Sequence, residues 1–136
     1  MVLVSATMYF PEQARQIMRA VPVEDQPAQA WEVMRERHKL GDDQILALWR
    51  QQRALADSYD DMTFTPPSLG RITADTLIVY GDRDPLYPVQ MAVDLYRAIP
   101  RAALWVLPRS GHGPIYLEAA APFVQASLEF FRSASG

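Results

Sequence analysis

The chain of 136 residues predicts an α/β fold, with about three parallel strands and flanking helices. Three observations carry that expectation. Two continuous apolar runs, Thr76-Leu77-Ile78-Val79-Tyr80 and Leu104-Trp105-Val106-Leu107, are separated by one segment of helical length. That is the pattern of a β-α-β unit, whose parallel strands are buried on both faces. A third short run, Val2-Leu3-Val4, reads as another buried strand. Between residues 11 and 57, apolar residues recur at helical rather than alternating spacing. The length predicts a single domain over residues 1–136, with residues 1–7 and 71–136 forming the sheet core and about 8–70 forming a helical segment and connector.

The elements follow in order. After Val2–Val4, Pro11 suits the first turn of a helix through about Ala20, and Val21-Pro22 interrupts it. A second helix is expected from near Pro27 to Leu40, ending at Gly41, with Ala30, Trp31, Met34 and His38 on one face. Asp42 is a good N-cap for a third helix from Asp43 to about Asp57, whose apolar side is Ile45, Leu48, Trp49 and Leu55. Residues from Ser58 to Asp75 contain Pro66-Pro67 and Gly70 and read as a connector with one short helical turn. Then come the strand from Thr76, a helix from Val89 to about Ile99, the strand through Leu107, and a last helix over about Pro122–Arg132. Phe123, Ala126, Leu128 and Phe131 of that helix are available to cover the sheet.

Composition excludes several classes of function. Hydrophobic residues make up 49% of the chain, which suits a globular protein rather than a disordered one. The formal net charge is -3 and no Lys/Arg cluster occurs, so no nucleic-acid partner is expected. Cysteine is absent, which removes disulfides and thiolate metal sites, and two histidines far apart in sequence make no metal cluster. No cofactor is expected, because Gly81-x-x-Asp84 lacks the glycine spacing and lysine of a phosphate loop. The N-terminus lacks the positive region of a signal peptide, and no run approaches the roughly 20 apolar residues of a membrane span. A cytoplasmic setting without membrane partners is the expectation. A chain that opens on a buried strand also suggests a longer parent.

Chemistry concentrates after the two central strands. In open α/β sheets functional groups gather beyond the carboxyl ends of the strands. Gly81-Asp82-Arg83-Asp84-Pro85-Leu86-Tyr87-Pro88 follows one strand, and Ser110-Gly111-His112-Gly113 follows the next. One helix and one strand fill the interval, so the two loops should emerge side by side. A carboxylate beside imidazole fixes the ring tautomer and stabilises the imidazolium, and imidazole can act as a base near neutral pH. Glycine on both sides of His112 frees the backbone to present the ring from a tight turn.

This strand, Gly-x-x-Asp, helix, strand and Gly-His series resembles the C-terminal half of the α/β-hydrolase superfamily, and the likeness covers most of the chain. The resemblance implies that Asp84 is the triad acid and His112 the triad base, the spacing favouring Asp84 over Asp82. It also implies that Val2–Val4 is the strand after the nucleophile helix, and that the helices between about residues 11 and 57 form a cap. The family order is nucleophile, acid, histidine, yet no Gly-x-Ser-x-Gly occurs here. Ser5 and Ser110 are not flanked by glycines on a strand-to-helix elbow, and Ser110 reads as a loop residue supporting His112.

The implied function is hydrolysis of small esters or related acyl compounds, with the nucleophile supplied from outside this chain. The alternative is a non-catalytic fragment or interaction module that retains the second half of the fold. Trp31, Met34, His38 and Trp49 either line a substrate pocket or form plain core, the commoner use of such a stripe. Tyr87 and Ile115 either touch substrate or pack. Removing the neighbour of Val2–Val4 would expose an apolar strand edge. A homo-oligomer through that edge, or a chain supplying the missing half, is therefore expected.

Overall fold

In the computed structural model the chain is α/β, and residues 1–60 and 62–133 are described. Asp61, within the expected connector, and residues 134–136 of the expected sheet core lie outside the described residues. Three strands, β1 (Val2–Val4), β2 (Thr76–Gly81) and β3 (Ala102–Leu107), form one parallel sheet in the order β1-β2-β3. Leu3 pairs with Ile78, and Ile78 with Leu104. The helices are α1 (Glu12–Ala20), α2 (Ala28–Arg37), α3 (Asp42–Ala54), α4 (Pro66–Leu69), α5 (Val89–Ala98) and α6 (Ala120–Ser133). No helix among the described residues is long and apolar enough to cross a membrane.

The chain divides into two compact units, one of residues 1–9 and from 62 onward, the other of residues 10 to 61. In the first, β2 is the middle strand and is buried throughout. Its side chains alternate between two cores, as the two-residue period of a strand dictates. Leu77 and Val79 join Leu107, packed by Val2, Val4, Trp105, Ile115, Phe123 and Phe130. Ile78 and Tyr80 are also wholly buried, and α5, which packs on β2 and β3, buries Met91, Ala92 and Leu95. β1 and β3 are only partly buried, because each is flanked by a strand on one side alone.

The last helix turns two of the four expected residues inward, Phe123 and Ala126, and two outward. Phe123, Ala126, Ser127 and Phe130 face the core, whereas Leu128 and Phe131 are 48% and 44% exposed. The 3.6-residue period places 123, 126, 127 and 130 on one stripe, which excludes 128 and 131.

The helical unit is built on Val23, Ile45 and Trp49, against which Ala30, Trp31, Met34 and Leu46 pack. The Trp31 and Trp49 rings meet edge to face, 4.7 Å between centroids. Leu48, expected in this core, is exposed. α2 ends at Arg37 rather than Leu40, so His38 stands in extended backbone beyond the helix. The cause is the turn that follows. Arg35 forms a two-pronged ion pair with Asp42, at 2.9 and 2.7 Å, and Lys39 Nζ donates to the Arg35 carbonyl at 3.1 Å. Because Asp42 is engaged by Arg35, Gly41 takes the cap position with φ 90° and Asp42 becomes the first helical residue.

α3 also stops early, at Ala54, and Leu55–Asp57 forms a single 3-10 turn. The last carbonyls of a helix have no partner within it. Arg15, only 5% exposed, gathers the carbonyls of the turn that continues α3: its Nη1 donates to the carbonyls of Leu55, Ala56 and Ser58, while its Nε donates to that of Phe10. The guanidinium lies over the Tyr59 ring, 3.9 Å from its centroid.

Candidate active site

The carboxyl ends of the three strands lead into three short segments at one end of the sheet. Ser5 follows β1, the Asp82–Pro88 turn follows β2, and Pro108–Gly113 follows β3. The backbone of the last two turns interlocks. Asp82 N–H donates to the Leu107 carbonyl at 3.1 Å, and Arg83 N–H to the Ser110 carbonyl at 2.9 Å. The approach is so close that a Cβ at Gly81 would stand 2.2 Å from the Ser110 carbonyl oxygen, so only glycine fits.

The two acidic residues of this turn separate cleanly. Asp82 Oδ1 accepts the Ser110 backbone N–H at 3.1 Å and so ties one turn to the other. Asp84 reaches the imidazole instead: His112 Nδ1 lies 2.9 Å from Asp84 Oδ2. The other carboxylate oxygen, Oδ1, accepts the backbone N–H groups of Leu86 at 2.8 Å and Tyr87 at 3.1 Å. The turn thus aims the carboxylate with its own backbone, in the way Asp side chains commonly close local turns. The Asp84 side chain is completely buried, whereas that of His112 is 42% exposed. A buried acceptor thus holds one nitrogen of a ring that stays partly exposed.

Tyr87 packs edge-on against His112, 5.4 Å between ring centroids, and is 8% exposed. Burial, reinforced by the Asp84 carboxylate, pushes its phenol above the ordinary tyrosine range. Ile115 belongs to the apolar cluster of Leu77, Val79 and Leu107. Trp31 and Trp49 belong to the other compact unit, where they pack on each other in its core, and His38 lies just past α2 in that unit. The sheet unit thus brings together Asp84, His112 and Tyr87. Beside the histidine turn, Arg109, Ser110, Tyr116 and Leu117 line an open cleft of about 790 Å³. Among the described residues no group of three or more His, Asp or Glu side chains is placed to hold a metal ion.

Sequence reasoning set Ser5 aside as a nucleophile and gave it no other role in this cluster. Ser5 is 7% exposed and has φ 44°, and its Oγ accepts the Gly113 N–H at 3.1 Å. A serine at the end of a short apolar strand carries no motif, and only the fold brings it to the histidine turn.

Comparison with known proteins agrees with this architecture. The sequence profile described as the alpha/beta hydrolase family matches residues 2–126. No curated protein sequence matches the chain. Among solved structures, the meta-cleavage product hydrolase CumD of Pseudomonas fluorescens IP01 aligns with 98% of this chain and 56% of its own, at 20% identity and a TM-score of 0.62. The esterase RhEst1 of Rhodococcus sp. ECU1013 aligns with 98% of this chain and 55% of its own, at 16% identity and a TM-score of 0.64. The 2-hydroxy-6-oxo-6-phenylhexa-2,4-dienoate hydrolase of Rhodococcus sp. strain RHA1 aligns with 95% of this chain and 52% of its own, at 24% identity and a TM-score of 0.58. At such identities the likeness is one of fold, and this chain spans a little over half the length of these proteins. With three parallel strands in this order and a sequence match over nearly its whole length, the chain belongs to the alpha/beta hydrolase family.

Proposed function

We propose that this chain carries the acid and base of a hydrolytic site for small ester-type substrates, acting with a nucleophile supplied from outside the chain. The observation that carries the reading is the 2.9 Å contact between His112 Nδ1 and a fully buried Asp84 carboxylate whose other oxygen is already held by two backbone N–H groups. Asp84 keeps the proton on Nδ1, so Nε2 is free to take a proton from a hydroxyl and later return it to the leaving group. The buried anion stabilises the imidazolium formed in between. The sequence holds no Gly-x-Ser-x-Gly, so the hydroxyl belongs to another polypeptide or to a longer parent. The ester class is proposed within a fold shared with RhEst1, an esterase.

The test is hydrolysis of p-nitrophenyl acetate by the assembly in which the chain occurs in cells, beside the same assembly carrying His112→Ala or Asp84→Asn. Turnover should fall about 10²–10⁴-fold in each variant. Undiminished turnover in both would rule out the acid–base assignment.

A second reading, an interaction module without turnover, is favoured by the bare edge of β1. Leu77 N–H donates to Met1 O and Ser5 N–H to Val79 O. By the alternation of a parallel ladder, the backbone groups of Val2 and Val4 then face away from β2. Next to that edge an apolar groove of about 370 Å³ is lined by Met1, Leu3, Phe64, Leu69, Ile72 and Leu95. A second copy, or a chain completing the sheet, would cover both. Absence of turnover in every form, together with a stable complex through this edge, would favour this reading over the first.

A further inference from the structure

We infer that Ser5 is a positioning residue: through its side chain it holds the turn that presents His112. Its functional weight rests on the reading of His112 given above, whereas its physical basis does not. Three observations converge on it.

The first is strain. Ser5 has φ 44°, in a region that costs a residue with a Cβ about 1 kcal/mol or more and that glycine occupies freely. Such a residue persists where its surroundings hold it, commonly at functional sites. The second is what holds it. The Ser5 N–H donates to the Val79 carbonyl at 2.9 Å and so continues the β1–β2 ladder one residue past the strand. Its Oγ accepts the N–H of Gly113, the residue after the histidine, at 3.1 Å. One residue thus joins the ends of β1 and β2 to the turn after β3. The third is the state of the turn itself. Gly113 has φ 70°, and the turn is fixed at its other end by the contacts of Ser110 with Asp82 and Arg83. Ser5 supplies the second anchor, so the segment carrying the imidazole is held on both sides of the ring.

Glycine at position 5 would relieve the strain, and alanine would retain it. Only the hydroxyl serves Gly113. The left-handed backbone at a strand end also invites the opposite assignment, that Ser5 is itself the nucleophile. Its burial and the use of its Oγ by Gly113 argue for holding rather than attacking.

The experiment is solution NMR on the full chain, with Ser5→Gly as the main variant and Ser5→Ala beside it. Ser5→Gly is the safer fold, because it removes strain. In that variant the Gly113 amide should exchange about fivefold faster, the loss of one ordinary hydrogen bond. The ring nitrogens of His112, expected to report a proton fixed on Nδ1 in the parent, should report mixed tautomers. His38, the other histidine of the chain, serves as the internal control and should not change. A fluorophosphonate probe should leave Ser5 unlabelled in the parent. Unchanged Gly113 exchange or unchanged His112 signals in Ser5→Gly would overturn the inference, and so would covalent labelling of Ser5. None of these readouts needs turnover. Undiminished ester turnover by the assembly carrying His112→Ala or Asp84→Asn, with both NMR changes present in Ser5→Gly, would sink the acid–base reading and leave this one standing.

Discussion

A methyl group at position 81 has nowhere to go, since the Ser110 and Gly111 carbonyl oxygens stand 2.2 and 2.3 Å from where it would sit. Gly81→Ala should destabilise the sheet unit by about 2–3 kcal/mol, the cost of forcing atoms into packed backbone. Urea unfolding followed by near-UV circular dichroism measures it. Tyr80 offers a test through pH. Its phenol is wholly buried and donates to the Ala6 carbonyl. Burial, then Asp84 and Tyr87, push its pKa well above the ordinary value. The unfolded chain gives up this proton near pH 10 and the folded chain keeps it, so stability is full below about pH 10 and falls as pH rises beyond it. Tyr80→Phe should flatten that alkaline decline, measured as urea midpoints between about pH 8 and pH 11. At this scale much was legible beforehand. Asp84 and His112 stand after strands that are plain in the apolar pattern, and Gly-x-x-Asp spacing set Asp84 apart from Asp82. Ser5 was not legible as an anchor, because its partner lies 108 residues away and hydrogen bonds at that range leave no local periodicity.

Among the elements, the end of α3 depends on one side chain. Arg15 from α1 donates to the carbonyls of Leu55, Ala56 and Ser58 in the turn that follows α3, and to that of Phe10. Arg15→Met keeps much of the apolar stem but strands those carbonyls. It should cost about 2–4 kcal/mol and raise proteolytic cleavage near residues 55–60. Arg15→Lys should rescue little, since an ammonium lacks the planar fork that reaches several acceptors at once. The helices themselves were legible from their spacing, but their ends and some faces were not. The Arg35–Asp42 pair shortens α2 and takes Asp42 out of its capping role, an interaction that cap preferences do not anticipate. On α6, Phe123, Ala126, Leu128 and Phe131 looked equally able to cover the sheet. The phase of the stripe keeps Phe123 and Ala126 and brings in Phe130 in place of Leu128 and Phe131.

For the molecule as a whole, the expected architecture of three parallel strands and flanking helices is the one observed. It was legible because β2 is so continuously apolar that no surface position suits it. The structure adds that β1 is an edge, and the proposal of a partner at that edge has a direct test. If the Val2–Val4 edge pairs with another chain, light-scattering chromatography over a concentration series should show a species larger than one chain. Val4→Pro, which removes an N–H from the open side, should shift it toward the monomer. A monomer at every concentration, alone and in cell-derived material, would dismiss the proposal.

The interlock between Gly81 and Ser110 has a consequence for anyone who would re-engineer this protein. Neither turn is an independent cassette. The backbone after β2 is shaped around the backbone after β3, and Asp82 and Arg83 bond to the same serine that would clash with any side chain at 81. A graft of one turn from another hydrolase would import a mismatch, whereas residues 81–88 and 108–113 exchanged together would carry their fit with them. The transferable part here is the pair of turns, joined through space and not along the chain.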